Sequence, residues 1–192
     1  MMSSIARVVR RLASLLPAGL IAFSMACSAS PTTSGAPCSV TNSALAGVTA
    51  TLSSSTCTYR VAESGTFQYS VTVDDHAAPF ALPASPPSGG PDATDGKLAT
   101  LVDWRIVSTT AGVAGYCADC DTGLGAGWAA ATLNFERGTK TATLSWPGRT
   151  WGGPSDTSNP LGPPFSVGDY EVILVIRGTS TVLAKLPIHV VN

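Results

Sequence analysis

Residues 140–177 read KTATLSWPGRTWGGPSDTSNPLGPPFSVGDYEVILVIR: two β-type runs, Thr141 to Trp146 and Tyr170 to Ile176, around a loop of Gly, Pro, Ser and Asp. The runs supply β-branched and aromatic side chains suited to a pleated surface, and the loop supplies residues that tolerate irregular backbone. The loop opens on Pro147-Gly148-Arg149 and closes on Val167-Gly168-Asp169. Such a pattern belongs to a β-sandwich, and it carries no nucleophile or paired carboxylates at a spacing that chemistry requires.

Upstream, the same alternation recurs. Val48, Ala50 and Leu52 form one series, Tyr59 and Val61 a second, and Phe67, Tyr69, Val71 and Val73 the clearest, after the turn Glu63-Ser64-Gly65. Period two over eight residues is a half-buried strand. Asp74 to Lys97, rich in proline and glycine, reads as a long loop without periodicity. Val102, Trp104 and Ile106 share a strand face, with Asp103 and Arg105 opposite, which makes Trp104 a core residue. After a second loop over Thr109 to Trp128, Ala131, Leu133 and Phe135 are expected to pair with Ala142, Leu144 and Trp146 across a turn at Glu136-Arg137-Gly138-Thr139. A final turn at 177–180 leads into Val182 to Val191. No sustained 3.6-residue period follows the N-terminal segment. The fold expected is all-β, an immunoglobulin-like antiparallel β-sandwich of seven or eight strands.

The N-terminus has a different character. Arg7, Arg10 and Arg11 stand without an acid and precede the apolar run LASLLPAGLIAFSMA, too short to span a bilayer stably. Ser24-Met25-Ala26-Cys27 follows, and it resembles the bacterial lipoprotein signal, in which a small residue precedes a cysteine that is lipidated. The resemblance implies a signal peptide over 1–26, lipidation at Cys27 and a membrane anchor through that lipid in the cell envelope. Residues 27–46, uncharged and rich in Ser, Thr, Ala, Pro and Gly, are expected as a flexible tether, and 47–192 as the sandwich domain.

Setting Cys27 aside leaves Cys38, Cys57, Cys117 and Cys120, an even number in an exported chain and so two expected disulfides. Local pairing, Cys38 with Cys57 and Cys117 with Cys120, organises the least chain. A closed loop of about twenty residues contributes roughly 3 kcal/mol in the chain-entropy estimate. Loss of the three arginines with the signal leaves eight basic against twelve acidic residues, about −4. That balance offers no basic patch, and no nucleic-acid partner is expected.

Four segments, Phe67 to Val73, Val102 to Arg105, Leu144 to Arg149 and Val167 to Val172, resemble in this order the intracellular proteinase inhibitor (BsuPI-type) domains and related bacterial immunoglobulin-like modules. The resemblance covers about Thr66 to Ile176. It implies the same sandwich, and it brings proteinase inhibition in as an alternative function.

Residue chemistry narrows the classes further. Cys117-Ala118-Asp119-Cys120 has the spacing of thiol oxidoreductases, yet Asp119 and Asp121 supply the wrong charge for a stabilised thiolate, so a structural disulfide is preferred. Zinc held by the four cysteines is a third reading, weakened by export. His76 and His189 are expected as surface histidines without a catalytic constellation. No cofactor and no metal are expected. Alternation of connections between the two ends of a sandwich places the Cys117 loop and the Arg149 loop at one end, where Tyr116, Trp128, Arg149 and Trp151 form putative binding loops. Otherwise Trp128 and Trp151 plug the open end of the core. The first reading is a non-catalytic, lipid-anchored envelope protein with a binding or structural module, its partner an envelope protein or a glycan. Proteinase inhibition is the alternative, and thiol-redox work at the CxxC pair the second alternative.

Overall fold

In the computed structural model, alternating apolar residues assemble two β-sheets face to face. The structure describes residues 37–82, 102–118, 120, 130–133, 136–155, 157–176 and 179–192. The expected signal peptide, Cys27 and Trp128 lie outside them. One sheet has the order β1 (Cys38–Leu45), β2 (Val48–Ser54), β4 (Gly65–Val73) and β9 (Gly138–Trp146), antiparallel throughout. The other runs β3 (Thr58–Arg60), β11 (Val182–Val191), β10 (Gly168–Ile176), β6 (Val102–Ser108) and β7 (Tyr116–Cys117). A third, two-stranded sheet joins β5 (Phe80–Leu82) to β8 (Ala131–Leu133).

The core is what the alternation requires. In β4, Phe67, Tyr69, Val71 and Val73 are buried while Thr66, Gln68 and Thr72 are exposed. Opposite them stand Val172, Leu174, Leu186 and Ile188, each at 2% exposure or less. Burying a side chain of this size contributes on the order of 1.5–3 kcal/mol. Aromatic rings tie the two sheets together: Trp146 meets Tyr59 at 5.5 Å edge-on and Phe165 at 4.8 Å, and Phe165 meets Tyr170 at 4.6 Å. At the start of β10 the Tyr170 hydroxyl donates to the Ser166 carbonyl, 2.9 Å. A tyrosine bonded to backbone a few residues upstream at a strand corner is a mark of immunoglobulin-like sandwiches.

Several expectations are corrected. Cys38–Leu45, assigned to the tether, is strand β1, paired antiparallel with β2 with a register shift between Asn42 and Leu45, and fastened to the sandwich by the Asn42 amide on the Leu183 carbonyl, 2.9 Å. Composition hid it, because its Ser and Thr side chains face outward and an edge strand needs few apolar residues. Among the described residues there are eleven strands rather than seven or eight, the surplus being short pieces such as Thr58–Arg60 and Phe80–Leu82, the latter inside the expected loop. The sheets are not wholly antiparallel, since β3 runs parallel to β11. Among the described residues the hairpin expected around Gly138 does not form: β8 pairs with β5, and Gly138 opens β9, which pairs along its whole length with β4. Val61 is 40% exposed rather than core-facing. Asp103 does lie on the face opposite Trp104, but at 5% exposure it is buried.

Candidate functional site

Cysteine chemistry organises the end of the sandwich at β7. The structure joins Cys38 to Cys57 and Cys117 to Cys120, with Cα separations of 5.9 and 5.4 Å. The first bridge pins β1 to the start of β3, and therefore one sheet to the other. Disulfides are the chemistry of an oxidising, extracellular compartment. No helix among the described residues is long and apolar enough to cross a membrane.

The second bridge lies over β6. Arg105 is opposite Cys117 and Ile106 opposite Tyr116 in the ladder. A carboxylate oxygen of Asp103 and both sulfurs of the bridge lie within 4.8 Å of one another. Joined sulfurs cannot hold a metal as thiolates, and a neighbouring carboxylate opposes the thiolate that a redox cysteine needs. The Arg105 guanidinium stands 4.0 Å from Asp103, and its buried Nε has no hydrogen-bond partner among the described residues.

Beyond this short edge, the Arg149 loop supplies the next layer of backbone. The Cys117 amide donates to the Trp151 carbonyl, 2.9 Å, and the Trp151 amide to the Gly115 carbonyl, 3.0 Å, so Trp151 continues the sheet. Its indole N–H donates to the Asn159 carbonyl, 2.6 Å. Asn159 in turn donates its side-chain amide to the Gly153 carbonyl. Gly153 has φ +99, and a Cβ there would run into the Cys120 carbonyl, which explains the close approach of the two loops. Trp151 is thus held by its own amide and carbonyl on the Gly115 to Cys117 segment and by its ring nitrogen, and the residue is half-buried.

The two loops meet, and of the residues expected there Tyr116 and Trp151 are in contact while Arg149 is turned away and Trp128 lies outside the described residues. Tyr116 and Trp151 pack at 6.0 Å, while Tyr116 is itself buried and stacks inward on Trp104 at 5.3 Å. Arg149 is exposed and turned onto its own loop, donating from Nε to the Gly162 carbonyl, 2.8 Å. Trp151 packs against the core and also lines an open groove of about 410 Å³. Arg105, Thr150, Asn159 and Cys120 are among the other residues of the groove wall. Sequence reading missed Arg105 as a site residue, although its place on the outward face of a strand with a core tryptophan on the other was the available signal.

Both histidines pair with acids on the surface. His189 Nδ1 lies 2.6 Å from Asp169, its register partner across β10 and β11. Among the described residues no hydroxyl bonds to its Nε2. His76 stands 3.1 Å from Asp75 and 3.4 Å from Asp74, all three exposed.

No family model matches this chain, and no curated protein matches it. Among solved structures, the β-glucosidase from Listeria innocua in complex with gluconolactone is similar at 11% identity and a TM-score of 0.35, over 82% of this chain and 16% of that one. The same enzyme with glucose gives 10% identity and 0.35, over 82% and 16%. The chain therefore spans 16% of those enzymes' length, and a likeness at that TM-score carries no argument about it.

Proposed function

We propose that this chain is a lipid-anchored envelope protein whose sandwich serves as a non-catalytic binding module, with its site in the groove beside Trp151. The observation that carries the reading is the fixing of Trp151 by three hydrogen bonds in the wall of that groove, which Arg105 also lines. A rigid aromatic and an arginine on a pre-formed scaffold bind with little ordering cost. Anchoring rests on the Arg-rich start, the short apolar run and Cys27. The thiol-redox alternative is weakened by Asp103 beside the bridge, and no feature of the groove favours proteinase inhibition.

Two variants test this reading separately. Cys27→Ser should move the protein from the membrane to the soluble fraction, and an unchanged detergent-phase partition refutes the anchor. Trp151→Ala should abolish capture of a cross-linked envelope partner by the full-length protein. Capture unaffected by that change refutes the groove, and reduction of insulin by the protein with dithiothreitol would transfer the function to Cys117 and Cys120.

A further inference from the structure

The outer face of the four-stranded sheet has an unusual chemistry. Across β2, β4 and β9 every outward position is Ser or Thr except Gln68, and Ser39, Thr41 and Ser43 extend the array onto β1. Not one of these side chains is charged or aromatic, whereas a soluble surface ordinarily carries about a quarter to a third charged residues. Register aligns them in rows, such as Thr41, Thr51, Ser70 and Thr141. Rows follow one another at about 6.6–6.8 Å along a strand and 4.7–4.9 Å between strands.

The array is paired at its margins and open at its middle. Thr41 bonds Thr51 at 3.0 Å, Ser43 bonds Thr49 at 3.2 Å, and Thr72 bonds Thr139 at 3.0 Å. The side chains of Gln68, Ser70, Thr141 and Thr143 make no hydrogen bond among the described residues. Two shallow grooves cross this face, of about 460 and 440 Å³, and they meet at Ser53 and Gln68. Together they run from Ser39 and Thr66 at one side to Thr141 and Thr143 at the other.

The geometry points to this joined groove as a binding site for an uncharged polysaccharide chain. Other partners are disfavoured by what the face lacks. A nucleic acid or an anionic polymer requires cations, and single strands add aromatic platforms. A protein interface has an apolar or aromatic centre, and a membrane surface requires apolar or basic side chains. Hydroxyls and a carboxamide both donate and accept, so they complement the neighbouring hydroxyls of neutral sugars in either polarity. Charge complementarity here means neutrality on both sides. Bonds of this kind without charge assistance are individually weak, so a chain of several units spanning both grooves is bound and a single sugar is not. This site is independent of the groove beside Trp151.

Affinity electrophoresis of the full-length, detergent-solubilised protein tests it, in gels containing hydroxyethylcellulose, galactomannan or dextran, with carboxymethylcellulose as the anionic counterpart. At least one neutral polymer should retard the wild type more than the anionic one does. Gln68→Ala should weaken that retardation about five-fold and Gln68→Ala/Thr141→Ala about ten-fold or more, while Trp151→Ala leaves it unchanged. Both positions are exposed, and far-UV circular dichroism verifies that the variants fold. Absence of retardation by every neutral polymer overturns the proposal, as does retardation that survives the double substitution. Preference for the anionic polymer, or self-association abolished by Thr141→Lys, overturns it in favour of a charged partner or a second copy of the chain.

Discussion

Ser54 and Tyr59 form a polar link across the sandwich whose energetics can be worked out bond by bond. Ser54 ends β2 in one sheet and Tyr59 lies in β3 of the other; the two residues are 7% and 2% exposed. The Ser54 hydroxyl donates to the Thr66 carbonyl at 2.8 Å and lies 2.7 Å from the Tyr59 hydroxyl. Ser54 has one proton and gives it to Thr66, so Tyr59 must be the donor to Ser54. Tyr59→Phe then removes a donor and strands only one lone pair of Ser54, at a cost of about 1 kcal/mol. Ser54→Ala leaves the buried Tyr59 O–H without its acceptor and withdraws a donor from Thr66, at about 2 kcal/mol. The double variant has no stranded tyrosine donor, so it should cost about 2 kcal/mol rather than the ~3 of the sum, a coupling of about 1 kcal/mol. Urea denaturation of the oxidised protein reads all three values. Additivity within about 0.3 kcal/mol would refute the assigned chain of bonds. Titration supplies a second check. Burial pushes the Tyr59 hydroxyl above its ordinary 10.0, and the Glu63 carboxylate adds to the rise. The unfolded tyrosine ionises near pH 10 while the folded one still holds its proton, so this stability is complete below pH 10 and is lost as pH rises toward the folded value. In Tyr59→Phe the decline above pH 10 should be shallower, and an identical decline would show that Tyr59 does not contribute.

Gly148→Ala should destabilise by about 1–3 kcal/mol, because the residue has φ +72 and its Cβ would meet the Glu63 carbonyl; an unchanged urea midpoint would refute this. Replacing Cys38 and Cys57 together by Ala should cost roughly 3 kcal/mol in the chain-entropy estimate for the residues enclosed, read as a lower melting temperature without loss of β-sheet circular dichroism. Trp151→Phe keeps a ring against Tyr116 but loses the bond to the Asn159 carbonyl, so about 1 kcal/mol should be lost and the 150–162 loop should exchange its amides faster. Equal exchange in the two proteins would mean that the indole N–H does not hold the loop.

What the residue order determined by itself is whatever depends on local periodicity or on short spacing. Alternation in Val48 to Leu52, Phe67 to Val73 and Val102 to Ile106 was enough to assign strands and their buried faces, since a pleat sends successive side chains to opposite sides whatever the strand pairs with. The two bridges follow from cysteines near in sequence, and the last two strands, consecutive in the chain, pair with each other. Partner choice was decided only in three dimensions. Ala131 to Leu133 and Gly138 to Trp146 look alike as two arms of a hairpin, yet they go to different sheets, because pairing is settled by which surfaces can be buried together rather than by proximity along the chain. Edge strand β1 was invisible for a related reason: Ser39, Thr41 and Ser43 face solvent, and the strand exists because β2 offers an unpaired edge and Asn42 can reach Leu183. The candidate sites divide in the same way. Connection alternation brought the Cys117 and Arg149 loops to one end, but only packing turned Tyr116 inward, folded Arg149 onto Gly162 and set Arg105 and Trp151 in the wall of one groove. A hydroxyl array spread over four strands has no signature in any one of them; it arises when register sets their outward residues side by side.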